Sequence, residues 1–165
     1  MLEMKVAGIA LDAITRSPIV LLKDASDRRA LPIYIGQEQA RAIMGALENQ
    51  KPPRPLTHDL IVNILEAWNM TVERIIIHSL QKDTFYAALI IKQGDVKKEI
   101  DARPSDAIAI ALRTNTPIWV MEEVIADASI PVDRDADEAE QQAFREFISN
   151  LRPEDLIKRF GSSET

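Results

Sequence analysis

Residues 99–113 read Glu-Ile-Asp-Ala-Arg-Pro-Ser-Asp-Ala-Ile-Ala-Ile-Ala-Leu-Arg. Within six residues they set two carboxylates (Asp101, Asp106), a guanidinium (Arg103) and a hydroxyl (Ser105), where an alternating segment gives way to an apolar one. Part of this is explained by a helix start. Pro104 suits the first turn because its missing N–H would be unpaired there anyway. Asp106 gains about 0.3–1 kcal/mol from the helix dipole, and Ser105 can satisfy a free amide. Arg103 is not something a helix start requires. A strand end, a helix N-terminus and two carboxylates also describe a site for phosphate or for Mg²⁺ or Mn²⁺. On spacing alone, both readings stand.

A second cluster, Arg54-Pro-Leu-Thr-His-Asp59, repeats the pattern of Arg-Pro, a small hydroxyl residue and an Asp at a helix start. Thr57 is the expected N-cap, and Asp59 faces the positive end of the dipole. His58, one of two histidines, reads either as a surface residue of the first turn or as a general base or metal ligand. If the two helix starts converge, Arg54, His58, Asp59, Asp101, Arg103 and Asp106 share one pocket. His78 reads as a satisfied strand residue, Gln37, Glu38 and Arg41 as a solvated helix start, and Tyr34 and Tyr86 as half-buried strand residues. There is no glycine-rich phosphate loop, no HExxH and no GxSxG. Without cysteine, disulfides, thiolate metal sites and a cysteine nucleophile are excluded.

The elements that must hold these clusters follow from periodicity. Met4–Leu11, Ile19–Leu22 and Leu31–Ile35 read as strands, with Pro32 confined to a strand start or an edge. Ala40, Ile43, Met44 and Leu47 mark a helix from Gln37 to about Asn49. Three prolines in 51–55 end it. A second helix begins near Thr57 with an expected buried stripe of Leu60, Ile61, Ile64, Leu65 and Trp68. Val72–Leu80, Thr84–Lys92 and Val96–Ala102 form an antiparallel meander turning at Gln93-Gly94-Asp95. Pro104–Thr114 is a helix apolar nearly all round, hence central. Pro117–Met121 is a last strand. The fold class is α+β: a mixed or antiparallel sheet with helices packed against it, in one compact domain over 1–130.

The chain has 165 residues, enough for one domain with a real core, and a net charge of −6 at pH 7. The charge is uneven. Residues 1–130 carry 15 Lys+Arg and 17 Asp+Glu, while 131–165 carry 5 and 9. A broad basic nucleic-acid surface is therefore not expected. Residues 131–165 read as an acidic, helical C-terminal tail, with Phe144, Phe147, Ile148 and Leu151 available to its own body, another subunit or a protein partner. The start has no signal-peptide pattern and no window suits a membrane span, so the expected location is cytoplasmic.

Several stretches together resemble the bifunctional nuclease (BFN) family. They are Leu31-Pro-Ile-Tyr-Ile-Gly36 followed by Glu38 and Ala40, Arg54–Asp59, Thr84-Phe-Tyr-Ala87, Asp101–Ala107 and Pro117-Ile118. The similarity spans residues 3–130 in order and spacing. It implies an oligomeric α+β domain with nuclease activity on RNA and DNA, and so nucleic acid as substrate. Many members carry a C-terminal segment resembling the interaction module of excision-repair nucleases; the acidic tail here reads against that role. The site assignment rests on local chemistry. Asp101 and Asp106 are expected to hold Mg²⁺ or Mn²⁺, His58 to move a proton with them as the catalytic set, and Arg54, Arg103 and Ser105 to bind phosphate. The alternative is a non-enzymatic module that binds an anion or a protein.

Overall fold

Twelve elements follow in chain order: β1 (Leu2–Leu11), β2 (Pro18–Asp24), β3 (Arg29–Tyr34), α1 (Gln37–Leu47), α2 (Thr57–Ala67), β4 (Thr71–Gln81), β5 (Thr84–Gln93), β6 (Val96–Ala102), α3 (Pro104–Thr114), β7 (Ile118–Val120), α4 (Glu122–Ala128) and β8 (Ile130–Pro131). They come from a computed structural model, which describes residues 1–132. The expected tail helix lies outside the described residues.

All eight strands join one sheet in the order β6-β5-β4-β7-β1-β2-β3-β8. Its pairings are antiparallel except β4 with β7. The short β7 thus joins two antiparallel blocks, β4–β6 and β1–β3. With four helices among the described residues this is the α+β fold expected, and two of its elements, α4 and β8, carry too little pattern to be read from sequence. Pro32 sits inside β3, but β8 pairs only with Arg29 and Ala30. At Pro32 that flank of β3 is an edge, so no ladder hydrogen bond is lost.

The central helix is as its composition demands. α3 packs on α1, α2, β4 and β5, and Ala107 to Ala111 are all buried within the one hydrophobic core. Each of α1, α2 and α3 stops at an asparagine in the left-handed region: Asn49, Asn69 and Asn115, with φ of 52°, 54° and 51°. One residue later the amides of Gln50, Met70 and Thr116 reach back to the carbonyls of Gly45, Leu65 and Ala111. This is the Schellman closure, with Asn standing in for Gly.

Two expectations for α2 fail. Leu56, not Thr57, is the N-cap, and Asp59 Oδ2 accepts the Leu56 N–H at 2.9 Å. The buried side carries His58 and Val62; of the expected stripe Ile61 packs against the core and Leu65 is half-buried, while Leu60, Ile64 and Trp68 are exposed, Trp68 to 64%. The helix is apolar on two sides, and α3 covers only one. Leu56, Leu60, Ile64 and Trp68 form an outward stripe at four-residue spacing.

Candidate active site

α2 crosses the flank of α3 with its first turn, and that turn reaches both ends of its neighbour. His58 Nε2 lies 2.8 Å from Asp106 Oδ1 in the first turn of α3. The next residue, Asp59, accepts from Arg113 Nε at 2.7 Å near the end of α3. Asp106 and Arg113 are seven residues apart, about 10 Å along the helix. The two helix starts therefore meet, but side-on, and the expected pocket divides into two clusters.

The first cluster has the composition of a proton-moving site. His58 is only 7% exposed, against the surface position that its place in the sequence allowed. Asp106 accepts from His58 through one oxygen and from Arg103 Nε through the other, at 2.8 Å. Burial pushes the Asp106 carboxyl up, but the hydrogen bonds from His58 and Arg103 outweigh it and hold the group below its ordinary range. Asp106 is then a carboxylate, which can only accept. The proton of the shared bond therefore belongs to His58 Nε2. In the neutral imidazole this leaves Nδ1 with its lone pair. Arg103 spends only Nε on Asp106, and its remaining N–H groups have no partner among the described residues.

The second cluster is structural. Arg113, 12% exposed in its side chain, holds Asp59 and donates from one terminal nitrogen to the carbonyls of Ala42 and Ala109 at 3.0 Å. One guanidinium thereby ties α1, α2 and α3 together. Burial of Asp59 is outweighed by Arg113 and the Leu56 amide, and the carboxyl stays below its ordinary value. Nothing in the sequence singled out Arg113. At the end of a helix it looks like a residue serving the dipole.

Asp101 does not join either cluster. It is exposed near the end of β6, in register with Ala88 of β5, which is in register with Ile76 of β4. In-register neighbours share a sheet face. The next residue, Ala102, is in register with core Ala87 and packs against the core, so Asp101 projects from the other face. Arg54 is exposed in the loop before α2. Ser105 is 7% exposed in the first turn of α3, beside Arg103. His78 is satisfied as expected, with Nδ1 2.7 Å from Ser79 Oγ. Tyr34, expected half-buried, is 61% exposed. Among the described residues no group of three or more His, Asp or Glu side chains lies together as a metal cage.

A family model described as the bifunctional nuclease domain matches residues 20–133. The chain belongs to the bifunctional nuclease domain family. The match takes in α1, α2, α3 and every residue of both clusters, and leaves out β1. An uncharacterized protein of Mycobacterium tuberculosis is 42% identical over 164 residues, covering 93% of this chain and 97% of its own length. Bifunctional nuclease 1 of Oryza sativa subsp. japonica is 33% identical over 113 residues, 66% of this chain but 34% of the rice protein. Bifunctional nuclease 2 of Arabidopsis thaliana is 27% identical over 107 residues, 32% of its length. This chain aligns with about a third of the length of each of these plant proteins. Among the described residues no helix is long and apolar enough to cross a membrane.

The lowered Asp106 carboxyl has a consequence for stability. A carboxyl whose folded value lies below its unfolded value, about 3.8, stabilises the fold above that pH, and the contribution is lost as pH falls through the folded value. Asp106→Asn should therefore be less stable than the parent at neutral pH, with the gap closing as pH falls below about 3.8. Urea unfolding midpoints measured across that range check this. A gap that stays constant or widens on acidification would contradict it.

Proposed function

We propose that the chain is a nuclease that hydrolyses phosphodiester bonds in RNA, DNA or both, with His58 Nδ1 as the atom that moves the proton. The observation that carries this is the His58–Asp106–Arg103 cluster, in a domain whose family is the bifunctional nucleases. Asp106 holds the imidazole in one tautomer and one orientation, so Nδ1 is ready to take the proton of an attacking water. When imidazolium forms, the same carboxylate stabilises it. Arg103, anchored by Nε, offers its terminal nitrogens to a phosphate in the forked geometry that guanidinium and phosphate share. The first-turn amides of α3 add partial positive charge on the same side. Arg54, exposed ahead of α2, is proposed as a second phosphate contact.

Mg²⁺ or Mn²⁺ remains part of the proposal, in a restricted form. Such ions bind through one or two carboxylates with substrate phosphate oxygens and water completing the shell. Asp106 fits as the protein ligand. Asp101, on the other sheet face, does not fit as its partner. When bound, the ion neutralises phosphate charge and lowers the pKa of water. Self-association as a homo-oligomer, a protein contact through residues 131–165 and a cytoplasmic location complete the reading.

The test is cleavage of end-labelled single-stranded RNA and DNA by the purified full chain, with and without EDTA. Cleavage in Mg²⁺ or Mn²⁺ that EDTA abolishes is the expected result. Cleavage that EDTA leaves untouched removes the metal from the reading. No cleavage of either strand type under any condition overturns the nuclease and favours an anion-binding module.

A further inference from the structure

A cleft of about 290 Å³ opens between the end of β3, the residue before α1, the β4–β5 turn and the start of α3. Arg103, Ser105, Tyr34, Gly36, Thr84 and Phe85 all line it. Ser105 is 7% exposed, and its hydroxyl makes no hydrogen bond among the described residues. Ser105 lines the cleft, so its hydroxyl is open to a ligand seated there. It stands in the first turn of α3, two residues after Arg103, and both line the cleft. The cleft thus gathers the positive end of a helix, a guanidinium and an unspent hydroxyl, all suited to a phosphate.

The lining is also aromatic, with Tyr34 and Phe85. Tyr34 is 61% exposed, and yet its ring is held in place: the hydroxyl donates to Asp12 Oδ2 at 2.5 Å. Asp12 is itself fixed by the amides of Ile14 and Thr15. The Tyr34 hydroxyl, with those amides, pulls the Asp12 carboxyl down to about 2, so the anchor is ionised throughout the physiological range. An exposed ring tethered at its tip costs little entropy to stack upon. The rim carries Asp83, held with Lys82 at positive φ in the β4–β5 turn. Its negative charge disfavours a phosphate there and orients the anion towards Arg103.

We infer that this cleft seats one unpaired nucleotide, its phosphate on Arg103, Ser105 and the first turn of α3 and its base against the Tyr34 ring, so that the protein selects single-stranded nucleic acid. The inference rests on the nuclease reading, because Arg103 belongs to both. A base inside a duplex keeps both faces stacked and cannot reach the ring.

Fluorescence anisotropy of the full chain with a labelled oligothymidylate of about 12 nucleotides, and with a hairpin duplex of the same strand length, tests it. Gels run after titration show whether the strand is intact. The parent should bind the single strand more tightly than the duplex. Tyr34→Ala should weaken single-strand binding about 10-fold and remove the preference. Tyr34→Phe, which keeps the ring, should retain it. Ser105→Ala should weaken single-strand binding about 5-fold. A duplex bound as tightly as the single strand, or a Tyr34→Ala protein indistinguishable from the parent, overturns the proposal. A single-strand preference that depends on Tyr34, in a protein that cleaves nothing, supports the cleft and overturns the nuclease. Cleavage indifferent to Tyr34 does the reverse.

Discussion

His58→Ala should lower the rate of phosphodiester cleavage by about 10²–10⁴-fold, the usual contribution of a positioned acid or base. Asp106→Asn should come close to it, for a different reason. The ionised Asp106 obliges His58 Nε2 to carry the proton, because a carboxylate has nothing to donate. An asparagine amide of the same shape can donate to Nε2 instead, which puts the imidazole proton on Nδ1 and removes the lone pair that would take the proton of water. The two losses should not add. Once His58 is gone, changing Asp106 has no tautomer left to set, and the double variant should be nearly as active as His58→Ala alone. Single-turnover cleavage of a labelled strand measures all three, with circular dichroism establishing that each protein is folded. Parent-like rates for either single variant would remove the dyad from the mechanism.

The largest effect on stability is expected at Arg113, which has no part in that chemistry. Arg113→Met keeps most of the buried stem but strands the Asp59 carboxylate and leaves the Ala42 and Ala109 carbonyls without their bonds to the guanidinium. Breaking a buried ion pair from one side costs about 3–5 kcal/mol. The lower end is expected here, because the Leu56 amide still holds Asp59. Asp59→Leu combined with Arg113→Met should cost clearly less than the sum of the single changes, since no uncompensated charge remains. Urea denaturation of the four proteins gives the coupling directly. Strict additivity would mean that the bond between α2 and α3 contributes nothing of its own.

The contrast between these two sites shows how far local pattern reaches. Asp106, Arg103 and His58 were legible as candidates because a helix start needs a carboxylate and a proline but not an arginine or a histidine. Those surplus residues are the ones that the structure gathers around Asp106. Arg113 was not legible, since a lone arginine closing an apolar helix has an ordinary local explanation. Asp101 misled for the complementary reason. Five residues from Asp106 in the chain, it looked like a second ligand, but strand alternation turns it to the opposite face from Ala102. On α2, Leu60, Ile64 and Trp68 fit a helical stripe as well as His58 and Val62 do, and only the crossing with α3 decides which side is covered.

What the sequence determined by itself was therefore whatever depends on neighbours along the chain. The periodicity of the strands and helices, the central burial of α3, the asparagine helix stops and the motifs that mark a bifunctional nuclease domain are all set by residues a few positions apart, where backbone geometry and side-chain spacing act directly. Only the tertiary structure decided the pairing of His58 with Asp106, of Asp59 with Arg113, and the cleft between Tyr34 and Ser105. Those partners lie 48, 54 and about 70 residues apart. Such contacts depend on the angle at which α2 crosses α3 and on the register of the sheet. These are set by the packing of the whole core, and no local pattern encodes them.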